Sequence, residues 1–416
     1  MNFRERRKYL QIMQKRYKEG GKKEKRELLG EMEEVTGLHR KSLIRLMNSP
    51  IRLDREGRKR ERGKIYGGDV KRVVSLISKA LDYPSAERLK GQLVSTAEIL
   101  ARHGEIEVDE QIMEKMANIS ISTLKRLLST ISREKPIRSK KRVGRKRELI
   151  KDIPAGRLPW QEEEAGHFEV DLVHHCGQSA AGEYVCSINM VDIATGWCEM
   201  WATLGRSFLV MRDGFIHILA RVPFPIKQIH PDNGSEFFNW HLLRFWKERV
   251  SQIRISRSRP YHKNDNPFVE QRNHYLIRSY IGYDRLDSVE QTILLNRIYE
   301  KLWIYHNLFL PLRRTIDKES IPLEGRGYKV KRIHDESRTP LQRAEEKEVI
   351  EARRLEMLKR LRDTTNPLRL RDEIYQLIDE LFRLPGASKG ENVYKTLNLK
   401  PTLPKEVLSS LERVLQ

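Results

Sequence analysis

Apolar residues recur at helical spacing through the first 130 positions. Residues 4–20 form a basic amphipathic segment that predicts a short helix. In 23–48, Leu28, Leu29, Met32 and Val35 share one helical face, Thr36-Gly37-Leu38 break the helix, and Leu38, Leu43 and Leu46 face inward from a second. Arg40, Lys41 and Arg45 are then left on the outer side of that second helix. Two short helices around a Gly turn predict a helix-turn-helix, although a plain helical hairpin has the same pattern. Helical patterning resumes over 67–103 after a basic, Gly-punctuated stretch at 55–65. A second unit of the same kind spans about 109–131: DEQIMEKMA, a turn at Asn118–Ser120, then a helix with Ser122, Thr123, Lys125 and Arg126 outward.

The period changes at residue 166. GHFEVDLVHH, EYVCSINMVD and GWCEMWATL alternate and are rich in β-formers, so they predict three strands in succession. Residues 207–222 predict a helix, PIKQIHPD a strand ending in a turn, 236–249 a helix, QIRISRS a short strand and 267–281 a helix. A three-stranded meander followed by alternating helix and strand implies an α/β domain with a mixed sheet. Beyond about 330 the pattern is almost wholly helical. The expected organisation is a helical region over 1–132, a basic linker over 133–160, an α/β core over 161–330 and a helical C-terminal region over 331–416.

Charge sharpens this division. The 416-residue chain carries a formal net charge of +22, and residues 1–160 hold 41 Lys and Arg against 22 Asp and Glu. Residues 161–240 hold only 4 basic against 11 acidic residues. A basic front half joined to a locally acidic core suits a polyanion-binding module attached to a metal-binding centre. The linker adds nine cations between Arg133 and Arg147, among them Lys140, Lys141, Arg142, Arg145, Lys146 and Arg147, with Pro and Gly and no apolar period. Such a tether can follow a phosphate backbone. Three cysteines without a CxxC pair exclude a disulfide framework and a cysteine-rich zinc module, and no apolar run is long enough for a membrane span. A cytoplasmic protein with reduced thiols and no membrane partner is expected.

Three carboxylates occupy places that suit chemistry. Asp171 lies in the middle of the first predicted strand, Asp232 where a later strand ends in HPDNGSEF, and Glu270 near the start of a helix. Asp-Asn-Gly is also an ordinary turn sequence, and a glutamate favours a helix start in any protein. A charge in a mid-strand position is harder to dismiss, because it needs a partner. Hard oxygen ligands converging at one edge of a sheet suit magnesium. Glu169, two residues before Asp171, shares its strand face and is the alternative ligand; Asp192, in a VDIATGW turn, reads as structural. His174-His175-Cys176 does not read as a zinc site, because adjacent strand residues point to opposite faces.

The stretch 166–274 resembles the integrase core of the DDE transposase and retroviral integrase superfamily, in particular its bacterial insertion-sequence members. The residues that carry the likeness are GHFEVDLVHHCG, VDIATGW, HPDNGSEF and RSRPYHKNDNPFVEQRN, with thirty-seven residues between Asp232 and Glu270. The resemblance implies a ribonuclease H-like core, preceded by a helix-turn-helix DNA-binding arm. It implies Mg²⁺ or Mn²⁺ as cofactor, with two ions held by Asp171, Asp232 and Glu270, and 3′-end cleavage followed by strand transfer. It implies double-stranded DNA as partner, both element ends and target, and a homo-oligomer on that DNA. It further implies that the glutamate-bearing helix faces DNA through His274 and Arg278, and that Tyr261, His262 and Lys263 in the preceding loop touch the substrate. The zinc-binding His/Cys domain of retroviral integrases has no counterpart in the N-terminal arm. Two other readings are a DNA-binding regulator or assembly protein with an idle catalytic fold, and a structure-selective nuclease that cuts without joining.

Overall fold

The computed structural model describes residues 3–51, 65–131, 163–231, 240–250, 253–256, 267–322, 328–387 and 396. The chain divides into two compact units at Ile65/Tyr66, inside the stretch that the sequence groups as one helical region. In the first unit, α1 (Phe3–Glu19), α2 (Lys22–Thr36) and α3 (Arg40–Met47) close on Leu10, Met13, Leu28, Leu29, Met32, Leu43 and Met47. Gly37 ends α2 at φ +64°, a left-handed turn that glycine takes without a side-chain clash. Thr36 rather than Val35 is buried at the end of α2, since Thr36 continues the row of Leu28 and Met32 at four-residue spacing, and Val35 is 45% exposed.

The second unit begins with five helices: α4 (Gly68–Ala80), α5 (Ala86–Leu89), α6 (Leu93–Arg102), α7 (Glu110–Asn118) and α8 (Ile121–Ser129). Asp109 caps α7 by accepting from Ile112 N, and Ser120 caps α8 by accepting from Thr123 N, so the two polar residues set the two starts. Met116, Ile119, Leu124 and Leu128 bury the inner side of this pair.

The α/β part carries β1 (His167–His174), β2 (Val185–Asp192), β3 (Cys198–Leu204), β4 (Gln228–Pro231) and β5 (Arg254–Ile255) in the order β3-β2-β1-β4-β5. The meander β1-β2-β3 is antiparallel, and β4 and β5 join parallel to β1. This is the mixed sheet that the alternation predicts. Its helices are α9 (Phe208–Leu219), α10 (Trp240–Arg249), α11 (Pro267–Arg272) with a π-helical turn over Asn273–Arg278, α12 (Ser279–Ile281) and α13 (Val289–Ile304). Gly214 lets α9 lie close on β2 and β3: a Cβ there would stand 2.7 Å from Ile188 Cδ1. The outer strand β3 does not end in water. Asn296 of α13 exchanges two hydrogen bonds with the Ala202 backbone, and Asn307 does the same with Cys198, so two side-chain amides take the place of a neighbouring strand.

The region after the sheet departs from the expected pattern. A two-stranded ribbon, β6 (Thr315–Pro322) and β7 (Tyr328–His334), precedes the helices α14 (Pro340–Glu346), α15 (Ala352–Thr364) and α16 (Pro367–Leu381). Its residues alternate too many charges to signal a strand with a buried face. Among the described residues no helix is long and apolar enough to cross a membrane.

Candidate active site

Asp171 stands fifth of the eight residues of β1, half-buried, directly opposite Asn189 of β2. Its Oδ1 accepts from Leu172 N at 2.9 Å, and its Oδ2 accepts from the side-chain amide of Asn273. Asn273 in turn accepts from Asn189 Nδ2 at 2.7 Å, so one amide bridges the two cross-strand partners. Asn273 follows Glu270 by three residues on the segment that packs across β1 and β2, and Glu270 itself is exposed. The strand acid and the helix acid are therefore tied to one rigid junction.

Glu169 fastens the same junction from below. It is fully buried, and its Oε2 accepts from the backbone N–H groups of Phe268 and Val269, each at 2.8 Å. These are among the first N–H groups of α11, which have no partner inside a helix. Burial above all pushes the Glu169 carboxyl up to about 8, helped by the neighbouring charges of Glu270 and Asp171 and opposed by those two bonds. Its Oε1 is buried with no hydrogen-bond partner among the described residues. Glu169 thus holds the helix that bears Glu270, while Asp171 is the half-open acid on the same strand face.

Asp232 lies outside the described residues. Pro231, immediately before it, pairs with Val170, immediately before Asp171. Tyr261, His262 and Lys263 also lie outside the described residues, as do Lys140, Lys141, Arg142, Arg145, Lys146 and Arg147. Asp192 is structural, as expected: it is buried and accepts from Gly166 N, Thr195 N and Thr195 Oγ1 to close the β2–β3 turn. His174 and His175 do diverge, His174 towards Tyr184 and Cys186, His175 towards Ser187. Among the described residues no group of three or more His, Cys, Asp or Glu side chains is placed to hold a metal ion.

The cations expected to face a polyanion divide. Lys41, Arg45 and Arg126 are exposed, and so is His274. Arg40 is turned back on its own helix pair, near Glu33 at 3.8 Å and donating to Arg26 O. Lys125 is exposed but holds Glu87 at 2.5 Å. Arg278 does not share the outer face with Glu270 and His274. The π-helical turn inserts extra backbone per turn and rotates it inward, where it donates to His174 O at 2.8 Å and Gly282 O at 3.1 Å and is half-buried. The bridging role of Asn273 was not legible in the sequence; the only hint is an amide three residues after the glutamate, on the inner face of its helix.

No family model matches the chain. Among solved structures it is similar to the catalytic core domain of BIV integrase, at 16% identity over 28% of this chain and 70% of that one, with a TM-score of 0.23. It is similar also to a chain of the simian T-cell lymphotropic virus intasome in complex with PP2A regulatory subunit B56 gamma, at 14% identity over 44% of this chain and 58% of that one, with a TM-score of 0.27. In sequence it is 30% identical over 307 residues to the uncharacterized protein y4rM of Sinorhizobium fredii, which covers 74% of this chain and 87% of that protein. The chain belongs to the same family as y4rM.

Proposed function

We propose that this chain is a DNA transposase of the DDE type, with a ribonuclease H-like core that cuts 3′ ends and joins them to target DNA. The observation that carries the reading is the junction of Asp171 with the Glu270 helix: a mid-strand acid held by Asn273, on a helix whose start is held by Glu169. The motifs around Asp171, Asp232 and Glu270 supply the rest of the support. A merely structural aspartate would be expected to be buried and saturated like Asp192. Asp171 instead is only half-buried, on the strand that packs against the Glu270 helix.

The donor set fits magnesium or manganese, since Asp171 and Glu270 offer hard carboxylate oxygens and Asp232 is the proposed third ligand. Held by these acids, two such ions would supply activation of the attacking hydroxyl and stabilisation of the leaving oxygen of a phosphodiester. The chain's own part is to hold its acids at fixed separation, which Asn273 and Glu169 do through β1, and to bind duplex DNA. Lys41, Arg45, Arg126 and the cations of 133–147 are proposed to hold phosphates, and His274 to face the substrate. Assembly of two or more copies on paired DNA ends belongs to the same proposal.

The test uses the DNA that flanks the gene as labelled ends. Wild type, Asp171→Asn and Glu270→Gln are incubated with ends and target duplex in Mg²⁺. Joined products from wild type, absent with both variants while DNA binding persists, are the expected result. Cutting without joining would favour a nuclease, and binding without either step a DNA-binding protein. Equal activity of all three proteins would show that the metal site lies elsewhere.

A further inference from the structure

The ribbon β6–β7 forms a sheet of its own, apart from the five-stranded sheet. A two-stranded pair in water is marginally stable unless something covers it. Here the described side chains are open: Ile316 is 58% exposed, Ile321 41% and Val330 46%, and Glu319, Ser320, Lys331, Arg332 and His334 are exposed as well. The root of the ribbon, by contrast, is fixed. Leu312 and Arg338 pair through their backbones, Arg314 N donates to Asp335 Oδ1 at 2.7 Å, and Arg343 Nη1 donates to Asp335 Oδ2 at 2.6 Å. Asp335 thereby clamps both ends of the hairpin, and the ribbon leaves the domain from a rigid base.

Its charge says what would cover it. β7, YKVKRIH, contains Lys329, Lys331 and Arg332 and no acid. Lys331 is answered across the ribbon by Glu319, its register partner, at 3.0 Å. Arg332, exposed on the same strand, has no acid in register opposite it. An exposed cation with no acid opposite it is placed to meet an anion lying along the strand. A second copy pairing along β7 is disfavoured, because lysines on an edge strand oppose strand addition. The major groove of duplex DNA, in contrast, admits a two-stranded ribbon, offers phosphates to cations, and offers thymine methyls to aliphatic side chains.

We propose that the β6–β7 ribbon is a DNA-binding arm that lies in a groove of duplex DNA, with Arg332 on phosphate and Val330 against the groove. The proposal rests on the DNA-binding part of the proposed function and is independent of its chemistry.

The full chain is titrated with a short fluorescein-labelled duplex without divalent ions, over a series of salt concentrations, as wild type, Arg332→Gln and Val330→Glu. Melting curves confirm that both exposed-site variants fold. Loss of one phosphate contact lowers the slope of log affinity against log salt by about 1, the change expected for Arg332→Gln. Val330→Glu, which sets a negative charge towards the DNA, is expected to weaken binding at least tenfold. Slopes and affinities that coincide for all three proteins, while wild type binds, would overturn the arm and leave the transposase reading standing. Altered self-association in sedimentation with unchanged DNA affinity would assign the ribbon to a second copy and also overturn it. A wild type that binds no duplex would overturn both.

Discussion

Asn273 donates its side-chain amide to Asp171 while accepting from Asn189, so the strand acid and the helix that bears Glu270 are joined by a single side chain. Groups that orient a metal ligand, without touching the metal, are commonly worth 10- to 100-fold in activity. Asn273→Ala is therefore expected to lower Mg²⁺-dependent joining by roughly that factor. DNA affinity should stay at the wild-type value, and the loss should be smaller with excess metal. An Asn273→Ala protein that joins ends at the wild-type rate would show that Asp171 needs no such support.

Glu169 gives a contrast between two substitutions. Glu169→Ala strands the N–H groups of Phe268 and Val269 in a buried place, and each unsatisfied donor costs about 1–3 kcal/mol. Glu169→Gln keeps a carbonyl oxygen that can accept both. Urea unfolding should show Glu169→Ala destabilised by about 2–5 kcal/mol and Glu169→Gln close to wild type. Equal destabilisation would mean that the amide carbonyl does not take over the two bonds of the carboxyl.

The two acids of β1 also show how far the sequence reaches. Alternation in GHFEVDLVHH marks the strand and puts both acids on one of its faces. That Glu169 caps a helix a hundred residues later is not visible, because the contact depends on how α11 crosses the sheet. The face of the Glu270 helix departs from the regular helical pattern for a related reason. Positions i+4 and i+8 line up only in a regular α-helix, and the π-helical turn carries Arg278 inward to His174 O. The ribbon escaped the pattern because its aliphatic residues Ile316, Ile321 and Val330 are exposed and stand among charges, which leaves little alternation to read. The Asn296 and Asn307 caps on β3 were likewise silent, since one asparagine in an apolar helix carries no signal of what it meets.

Arg221 and Glu199 form a fully buried ion pair, with Arg221 Nε 3.0 Å from Glu199 Oε2. Trp197 and Trp303 both donate to Glu199 Oε1, at 2.9 and 2.6 Å, and Arg221 donates to Met200 O. Removing one member leaves the other charged in the core, which costs about 3–5 kcal/mol. Arg221→Met alone should lower stability by that amount, and Arg221→Met with Glu199→Gln by less than the single change. Chemical denaturation of the single and double variants measures the difference. A double variant weaker than the single one would show that the pair is a net source of stability rather than a matched liability.

His175 gives the fold a defined sensitivity to acid. It is fully buried, its Nε2 meets Ser187 Oγ at 2.8 Å, and Ser187 also meets the Tyr299 hydroxyl at 2.6 Å. Burial above all, with the charges of Arg278 and His174, lowers its pKa from 6.5 to about 3. The unfolded chain takes up a proton at this histidine as pH falls through 6.5, whereas the folded chain does not until about 3. The unfolded state thus binds more protons across that window, and stability falls as pH falls. Each unit is worth about 1.4 kcal/mol, so going from pH 7 to pH 5 should cost about 2 kcal/mol through this residue. Other acid-sensitive groups contribute to the total loss, so the comparison is with His175→Asn, which cannot take up the proton. Urea unfolding at the two pH values should show a loss smaller by about 2 kcal/mol in His175→Asn than in wild type. Equal losses in the two proteins would mean that His175 is already protonated in the fold, or that the unfolded chain keeps it buried.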